Sequence, residues 1–276
     1  MIPPDRQQLP LQGVRVLVTR ASHQADNLCR LIEARGGVAL RFPVLRIVPP
    51  AEQHTLASMG RHLADYDLAI FVSTNAVRMG VKCVLTDGRW PSTVRIAAIG
   101  ARTASALEEA GLPAYIAPRD QFTSEALLDL KPMREVEGLR ILIVRGEGGR
   151  ETLANTLRER GARVDYLEVY RRAQPDADTR PVVDAWARAE IDAVTISSNQ
   201  SLQNLYDMLG EPGRSYLRRA VLVVGSQRTA ELAARLGITA APVLADNASD
   251  EAIVAALEAW LGSRQPTIPL GEDSAE

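Results

Sequence analysis

Apolar residues in this chain come in two arrangements that alternate along its length. Short unbroken runs rich in β-branched residues are VRVLVT from Val14, LAIFV from Leu68, IAAI from Ile96, RILIV from Arg140, AVTIS from Ala193 and VLVV from Val221. Their length and composition suit strands buried on both faces, as in parallel sheets. Each is followed by a small polar residue and then by apolar residues three or four apart, the spacing of an amphipathic helix. Leu28, Leu31 and Ile32 share one helical face and the pattern stops at Gly36 and Gly37; Leu153, Leu157 and Gly161 repeat that design. Strands alternating with helices predict an open α/β fold.

The pattern is written twice. GVRVLVTR from Gly13 matches GLRILIVR from Gly138, an offset of 125, and the offset continues through Leu28 with Leu153, Gly36 with Gly161, DLAIFVSTNAV from Asp67 with DAVTISSNQSL from Asp192, and Gly100 with Gly225. Beyond those glycines the offset is 126, pairing Thr103 with Thr229, Gly111 with Gly237, and TSEAL from Thr123 with SDEAI from Ser249. A constant offset broken by one slip describes a duplicated α/β unit with a single residue inserted after Gly225. Two proline-bearing stretches, RFPVLRIVPP from Arg41 and YRRAQPDADTRP from Tyr170, interrupt it and read as crossings between domains. Residues before about Leu11 and after about Gly262 read as loose tails, since PTIPLGEDSAE has too little apolar surface to fold.

Composition narrows the class. At 276 residues the chain exceeds the usual ~100–200 per domain, so two domains are expected. An apolar fraction of 46% and a net charge of −2 describe a soluble globular protein with no electrostatic reason to bind nucleic acid. No apolar run reaches the ~18–20 residues of a membrane span. MIPPDRQQLP lacks the basic and apolar regions of an export signal, so a cytoplasmic protein without a membrane partner is expected. Cys29 and Cys83 lie in predicted helices without a CxxC partner, and read as small buried hydrophobes rather than disulfide or metal ligands. His23, His54 and His62 have no metal-ligand spacing, so no metal site is expected.

Chemistry is expected where strands end and helices begin, because free N–H groups there favour anions. Those loops come in pairs: Thr19-Arg20-Ala21-Ser22 with Arg145-Gly146-Glu147-Gly148, Ser73-Thr74-Asn75 with Ser198-Asn199-Gln200, and Gly100 to Thr103 with Gly225 to Thr229. Any one of them is explained by ordinary helix capping. The whole set points to a large, polar, anionic ligand. Arg145 and Arg150 flank Gly146, Gly148 and Gly149, whose amides could approach carboxylates closely. VRGEGGRETL is not a dinucleotide loop, since Glu151 stands where GxGxxG needs glycine, and no GK[ST] is present. With no nucleophile elbow, HExxH or activated cysteine in view, any enzyme here works by binding, orientation and electrostatics. A non-enzymatic two-domain protein that closes on a small anion is the competing reading.

VLVTR, PVLRI, DLAIFVSTNAV, AAIGARTASAL, FTSEALL, ILIVRGEGGRETL and VDYLEVYRR, in this order across residues 13–260, resemble the uroporphyrinogen-III synthase family. The resemblance implies two similar open parallel-sheet α/β domains joined by a two-stranded linker, an active site in the cleft between them, and no cofactor. It places domain 1 at 1–40 plus 172–262, domain 2 at 48–165, linker strands at 41–47 and 166–171, and a disordered tail at 263–276. The implied reaction closes hydroxymethylbilane, a linear tetrapyrrole with eight carboxylates, into uroporphyrinogen III with loss of water and inversion of ring D, and a monomer is expected to suffice. Tyr170 matches the family's tyrosine, which implies a donor of a hydrogen bond or proton to the departing hydroxyl; read without the family it is a tyrosine on an amphipathic linker strand. Ser73, Thr74, Ser197, Ser198, Thr229 and the turn at Gly146 match family positions. Ala101 and Ser226 stand where many relatives carry proline, and the insertion after Gly225 displaces Thr229 by one residue. Together with the paired loops this makes Arg20, Ser73, Thr74, Asn75, Gly100, Thr103, Arg145, Gly146, Arg150, Ser197, Ser198, Asn199, Ser226 and Thr229 the candidate substrate-binding residues, with Tyr170 the candidate acid.

Overall fold

The structure is a computed structural model that describes residues 9–50, 62–85, 90–118 and 123–263; His54 and all but a few residues of the expected tails lie outside these. The chain forms two compact units, one of residues 1–46 with 174–276 and one of residues 47–173. The first unit opens with β1 (Arg15–Val18), α1 (Ser22–Glu33) and β2 (Val38–Arg41). The chain then builds the second unit from β3 (Arg46–Val48), β4 (Leu68–Phe71), α2 (Thr74–Val84), β5 (Arg95–Ala98), α3 (Ala101–Glu109), α4 (Ser124–Asp129), α5 (Lys131–Arg134), β6 (Arg140–Gly146), α6 (Thr152–Glu159) and β7 (Arg163–Ala173). It finishes the first with α7 (Arg180–Ala187), β8 (Ala193–Ile196), α8 (Asn199–Leu217), β9 (Val221–Val224), α9 (Gln227–Arg235), β10 (Val243–Leu244) and α10 (Asp250–Gly262). Residues 166–171, read from the sequence as linker, lie inside β7.

The first unit's sheet has the order β10-β9-β8-β1-β2 and is parallel throughout. The second has the order β3-β7-β6-β4-β5, with β7, β6, β4 and β5 parallel and Ile116 bridging to Ala97 beyond β5. Under the 125-residue offset β6, α6 and β7 are the copies of β1, α1 and β2, while β4 and β5 are the copies of β8 and β9. Both sheets therefore have one strand order, although the chain reaches the strands of the second in a permuted sequence. In each, the crossover from the pivotal strand runs one way and that from its neighbour runs the other. In such sheets ligands bind beyond the carboxyl ends of that strand pair, which here is β1 with β8 and β6 with β4.

Burial explains the unbroken apolar runs, because helices cover both faces of each sheet. In the second unit Leu142, Val144, Leu167 and Val169 pack with Val77 of α2 and Leu107 of α3, while Ile141, Ile143 and Val164 pack with Leu127, Leu153 and Leu157 on the opposite face. The first unit sets Leu17, Val194, Ile196 and Leu222 against α8, and Val16, Val18 and Val223 against Leu28, Ile32 and Ile253. Each such side chain contributes about 1.5–3 kcal/mol by leaving water. Cys29 is fully buried in α1; the side chain of Cys83 lies outside the described residues. Among the described residues no helix is long and apolar enough to cross a membrane.

One partly buried polar contact in the second unit makes its stability depend on pH. Tyr66, just before β4, donates from its hydroxyl to Asp165 Oδ2 of β7 at 3.0 Å. Burial first, and then this bond to a carboxylate, push its phenol from 10.0 up to about 12. A raised folded value means that the neutral phenol's contribution is complete below pH 10 and is lost as pH climbs from 10 through 12. The stability gap between wild type and Tyr66→Phe, measured by denaturant unfolding, is therefore expected to shrink across that interval. A gap independent of pH would contradict the assignment.

Candidate functional site

Beyond the carboxyl ends of β6 and β4 the second unit carries a cavity of about 410 Å³. Five of the sequence candidates line it: Ser73, Arg145, Gly146, Arg150 and Tyr170. They arrive there from three elements. Ser73 lies just past β4 and caps α2, its Oγ accepting from Ala76 N at 3.0 Å; Arg145 and Gly146 end β6 and Arg150 follows it; Tyr170 comes from β7.

Tyr170 owes its direction to a register slip. β7 pairs with β6 residue for residue as far as Arg145 with Glu168, but the next pair is Gly146 with Tyr170, so Val169 is an extra residue. Before the slip the strand alternates, with Val164 and Tyr166 on the α6 side and Leu167 and Val169 on the α2 side. Strict alternation would return Tyr170 to the side of Tyr166. The extra residue keeps it with Val169 against α2, since shifting a strand by one residue exchanges its faces. The ring is 2% exposed, and its hydroxyl lies 3.2 Å from Ser73 Oγ. Room for it is made by the absence of a side chain at Gly146, where a Cβ would stand 2.5 Å from Cε2 and Cζ of Tyr170. Backbone then locks the arrangement, Glu147 N donating to Tyr170 O at 2.7 Å.

The glycine turn after Gly146 is needed for its shape. Gly148 and Gly149 have φ of 68° and 121°, values that disfavour a Cβ. Glu168 Oε1 accepts from Gly148 N at 3.2 Å.

Arg145 lines the cavity as its sequence suggested, but its charge is already matched. Expected as a ligand for substrate carboxylates, it is 7% exposed and held between two of the protein's own. Its Nη1 donates to Glu151 Oε1 at 3.0 Å, and its Nε lies 3.4 Å from Glu168 Oε1, near enough for charge attraction though misaligned as a hydrogen bond. The guanidinium stacks 4.2 Å from the centroid of Tyr166, whose hydroxyl donates to Glu151 Oε2. That hydroxyl, with Arg145 second, keeps the Glu151 carboxyl below the usual range; burial and then Glu151 push the Tyr166 phenol up. A buried arginine matched by two carboxylates braces the turn.

The remaining candidates fall elsewhere. Thr74, Asn75 and Gly100 sit at the starts of α2 and α3 but do not line the cavity, and Thr103 is buried in the first turn of α3. Six belong to the first unit, at the carboxyl ends of β1, β8 and β9. Arg20 Nη2 is 3.0 Å from Asp250 Oδ1, an ion pair both of whose side chains are largely buried. Ser198 and Ser226 cap α8 and α9 by accepting from Ser201 N and Thr229 N. Ser197 and Ser198 both approach Ser201 Oγ, and Thr229 Oγ1 donates to Asn199 Oδ1 at 2.8 Å and lies 2.9 Å from Ser226 Oγ. Thr229, expected to bind substrate, is 2% exposed and has its hydroxyl engaged on both sides.

Sequence reasoning missed Thr123, Ser124, Tyr166 and Arg172, which also line the cavity. A signal for Ser124 was available in the repeat. Its copy is Asp250, the partner of Arg20, and the copy of Gly146 is Ala21, buried in the first unit. Where the first unit carries a carboxylate and a methyl group, the second has a hydroxyl and a hydrogen atom.

Fold and site together define a duplicated parallel α/β protein whose second unit offers a cavity with one buried tyrosine and several arginines, suited to a polar anionic ligand and to proton donation. The chain belongs to the uroporphyrinogen-III synthase family: residues 26–255 match the family model described as uroporphyrinogen-III synthase HemD. It is 36% identical over 245 residues to uroporphyrinogen-III synthase of Salmonella typhimurium, covering 88% of this chain and 99% of that protein. The corresponding protein of Escherichia coli is 34% identical over the same shares. A crystal structure of a mutant uroporphyrinogen III synthase from Thermus thermophilus superposes with a TM-score of 0.59 at 24% identity, covering 91% of this chain and 100% of that one, a likeness of fold. The family consists of cyclising lyases of tetrapyrrole biosynthesis, and the non-enzymatic reading is not favoured.

Proposed function

We propose that this chain closes hydroxymethylbilane into uroporphyrinogen III, with Tyr170 as proton donor to the departing hydroxyl. The observation that carries the role of Tyr170 is its placement: a phenol turned by a register slip into a cavity at the switch point of the sheet, 3.2 Å from a serine hydroxyl.

Water leaves from the hydroxymethyl carbon when Tyr170 supplies the proton, giving an azafulvene. Ring D attacks that carbon through its own substituted α-carbon and forms a spiro centre. Breaking the older bond at this centre frees the bridging carbon, which rejoins at the unsubstituted α-carbon; the proton lost there balances the one lent to the hydroxyl. No step needs a protein nucleophile. Spontaneous closure joins the unsubstituted carbon directly and gives the uninverted isomer, so the protein's task is to favour the conformer that leads to the spiro centre. That is preferential binding of one transition state over another.

Freshly prepared hydroxymethylbilane, incubated with the purified protein and resolved into type I and type III products, is expected to yield mainly type III. Type I alone would sink the reading. Action as a cytoplasmic monomer belongs to the same proposal and is checked by sedimentation at working concentration.

A further inference from the structure

We propose that Arg172 is a carboxylate-binding residue that seats an acetate or propionate arm of the tetrapyrrole beside Tyr170, an inference that rests on the synthase reading. Neither the repeat nor the paired loops mark this residue. Its position follows from the register slip: side chains two apart on a strand share a face, so the extra residue that turns Tyr170 carries Arg172 with it and sends Arg171 the other way. Arg172 accordingly lines the cavity, its guanidinium 5.8 Å from the centre of the Tyr170 ring.

The charges of the cavity wall separate into two kinds. Arg145 is buried and matched by Glu151 and Glu168. Arg172 is exposed, and no carboxylate among the described residues lies within ion-pair distance of it. The same holds for Arg150 across the glycine turn. An exposed guanidinium with no carboxylate of its own, lining the cavity 5.8 Å from the centre of an aromatic ring, can grip a carboxylate by two parallel bonds. Seating one arm there fixes the adjacent ring against the phenol. Because this bond is present equally before and during reaction, its loss raises KM and leaves kcat nearly unchanged.

The test compares wild type, Arg172→Gln and Arg172→Lys in two assays: equilibrium titration with uroporphyrin III, a stable octacarboxylate, and initial rates with hydroxymethylbilane. For Arg172→Gln both Kd and KM are expected to rise about tenfold or more, the size of a lost charge-assisted pair, with kcat within about threefold of wild type. Lysine should restore part of the affinity as a point charge. Added salt should weaken wild-type binding more steeply than binding by the glutamine variant, which a purely structural role would not produce. Equal Kd and KM in a folded glutamine variant, or no porphyrin binding by wild type, overturns the proposal. If wild type forms only type I product while the glutamine variant still loses porphyrin affinity, the synthase reading falls and the carboxylate site stands.

Discussion

Replacing Tyr170 by phenylalanine is expected to slow turnover by about 10²–10⁴-fold, the usual worth of a positioned general acid, while the fold persists. The substitution removes one oxygen from a side chain that is 2% exposed and leaves the ring that fills the space above Gly146. What the protein loses is the bond to Ser73, about 1 kcal/mol. Ser73 still accepts from Ala76 N and still caps α2. Measured kcat should therefore fall far more than thermal stability. Since unassisted closure gives the uninverted isomer, the share of type I product should rise as the assisted route slows. An unchanged kcat would remove the proton-donor role and leave Tyr170 as packing.

Gly146→Ala should damage activity to a similar degree by another path. The added methyl would stand 2.5 Å from Cε2 and Cζ of Tyr170, against a ring that is buried and braced by backbone bonds on β7. Something must move, and overpacking of this kind costs about 1–3 kcal/mol. The movement carries the phenol oxygen away from its place by Ser73, and a shift of about 1 Å can cost two orders of magnitude in rate. A double-mutant cycle separates this from general damage. In the Tyr170→Phe background the ring atoms are still struck, so the loss of stability should recur, but no donor oxygen remains to be misplaced, so little further activity should be lost. Additive losses of activity would show that Gly146 acts through something other than Tyr170.

The two units differ at the positions these experiments touch. In the first, the copies of Gly146, Ser124 and Tyr170 are Ala21, Asp250 and Leu45, and Asp250 is taken up by Arg20. One copy of the duplicated design has joined its arginine to a carboxylate at the helix that ends the unit; the other has opened that place and braced its arginine from β7 and the start of α6. The equivalence of Arg20 and Arg145, and their place at a sheet end, was legible in the repeat; their burial was not. The acids that engage them left no signal beside them, since they lie 230 residues away in one case and 6 and 23 in the other.

By itself the sequence determined the strands, the helices and the duplication, because each depends on local periodicity: unbroken apolar runs suit strands covered on both faces, and residues three or four apart suit helices with one buried face. It also determined which polar loops lie at the sheet ends, from which an anionic ligand is expected. Only the tertiary structure decided which of those polar groups are available. Ser198 is engaged by Ser201, and Thr229 by Ser226 and Asn199, whereas Arg145 is matched by Glu151 and Glu168, and such pairings between segments leave no mark in composition or spacing. The direction of Tyr170 was likewise undecided until pairing was known. A strand's period of two assigns its faces, but one extra residue opposite Gly146 reverses the assignment, and that residue, Val169, looks in sequence like any other in the strand.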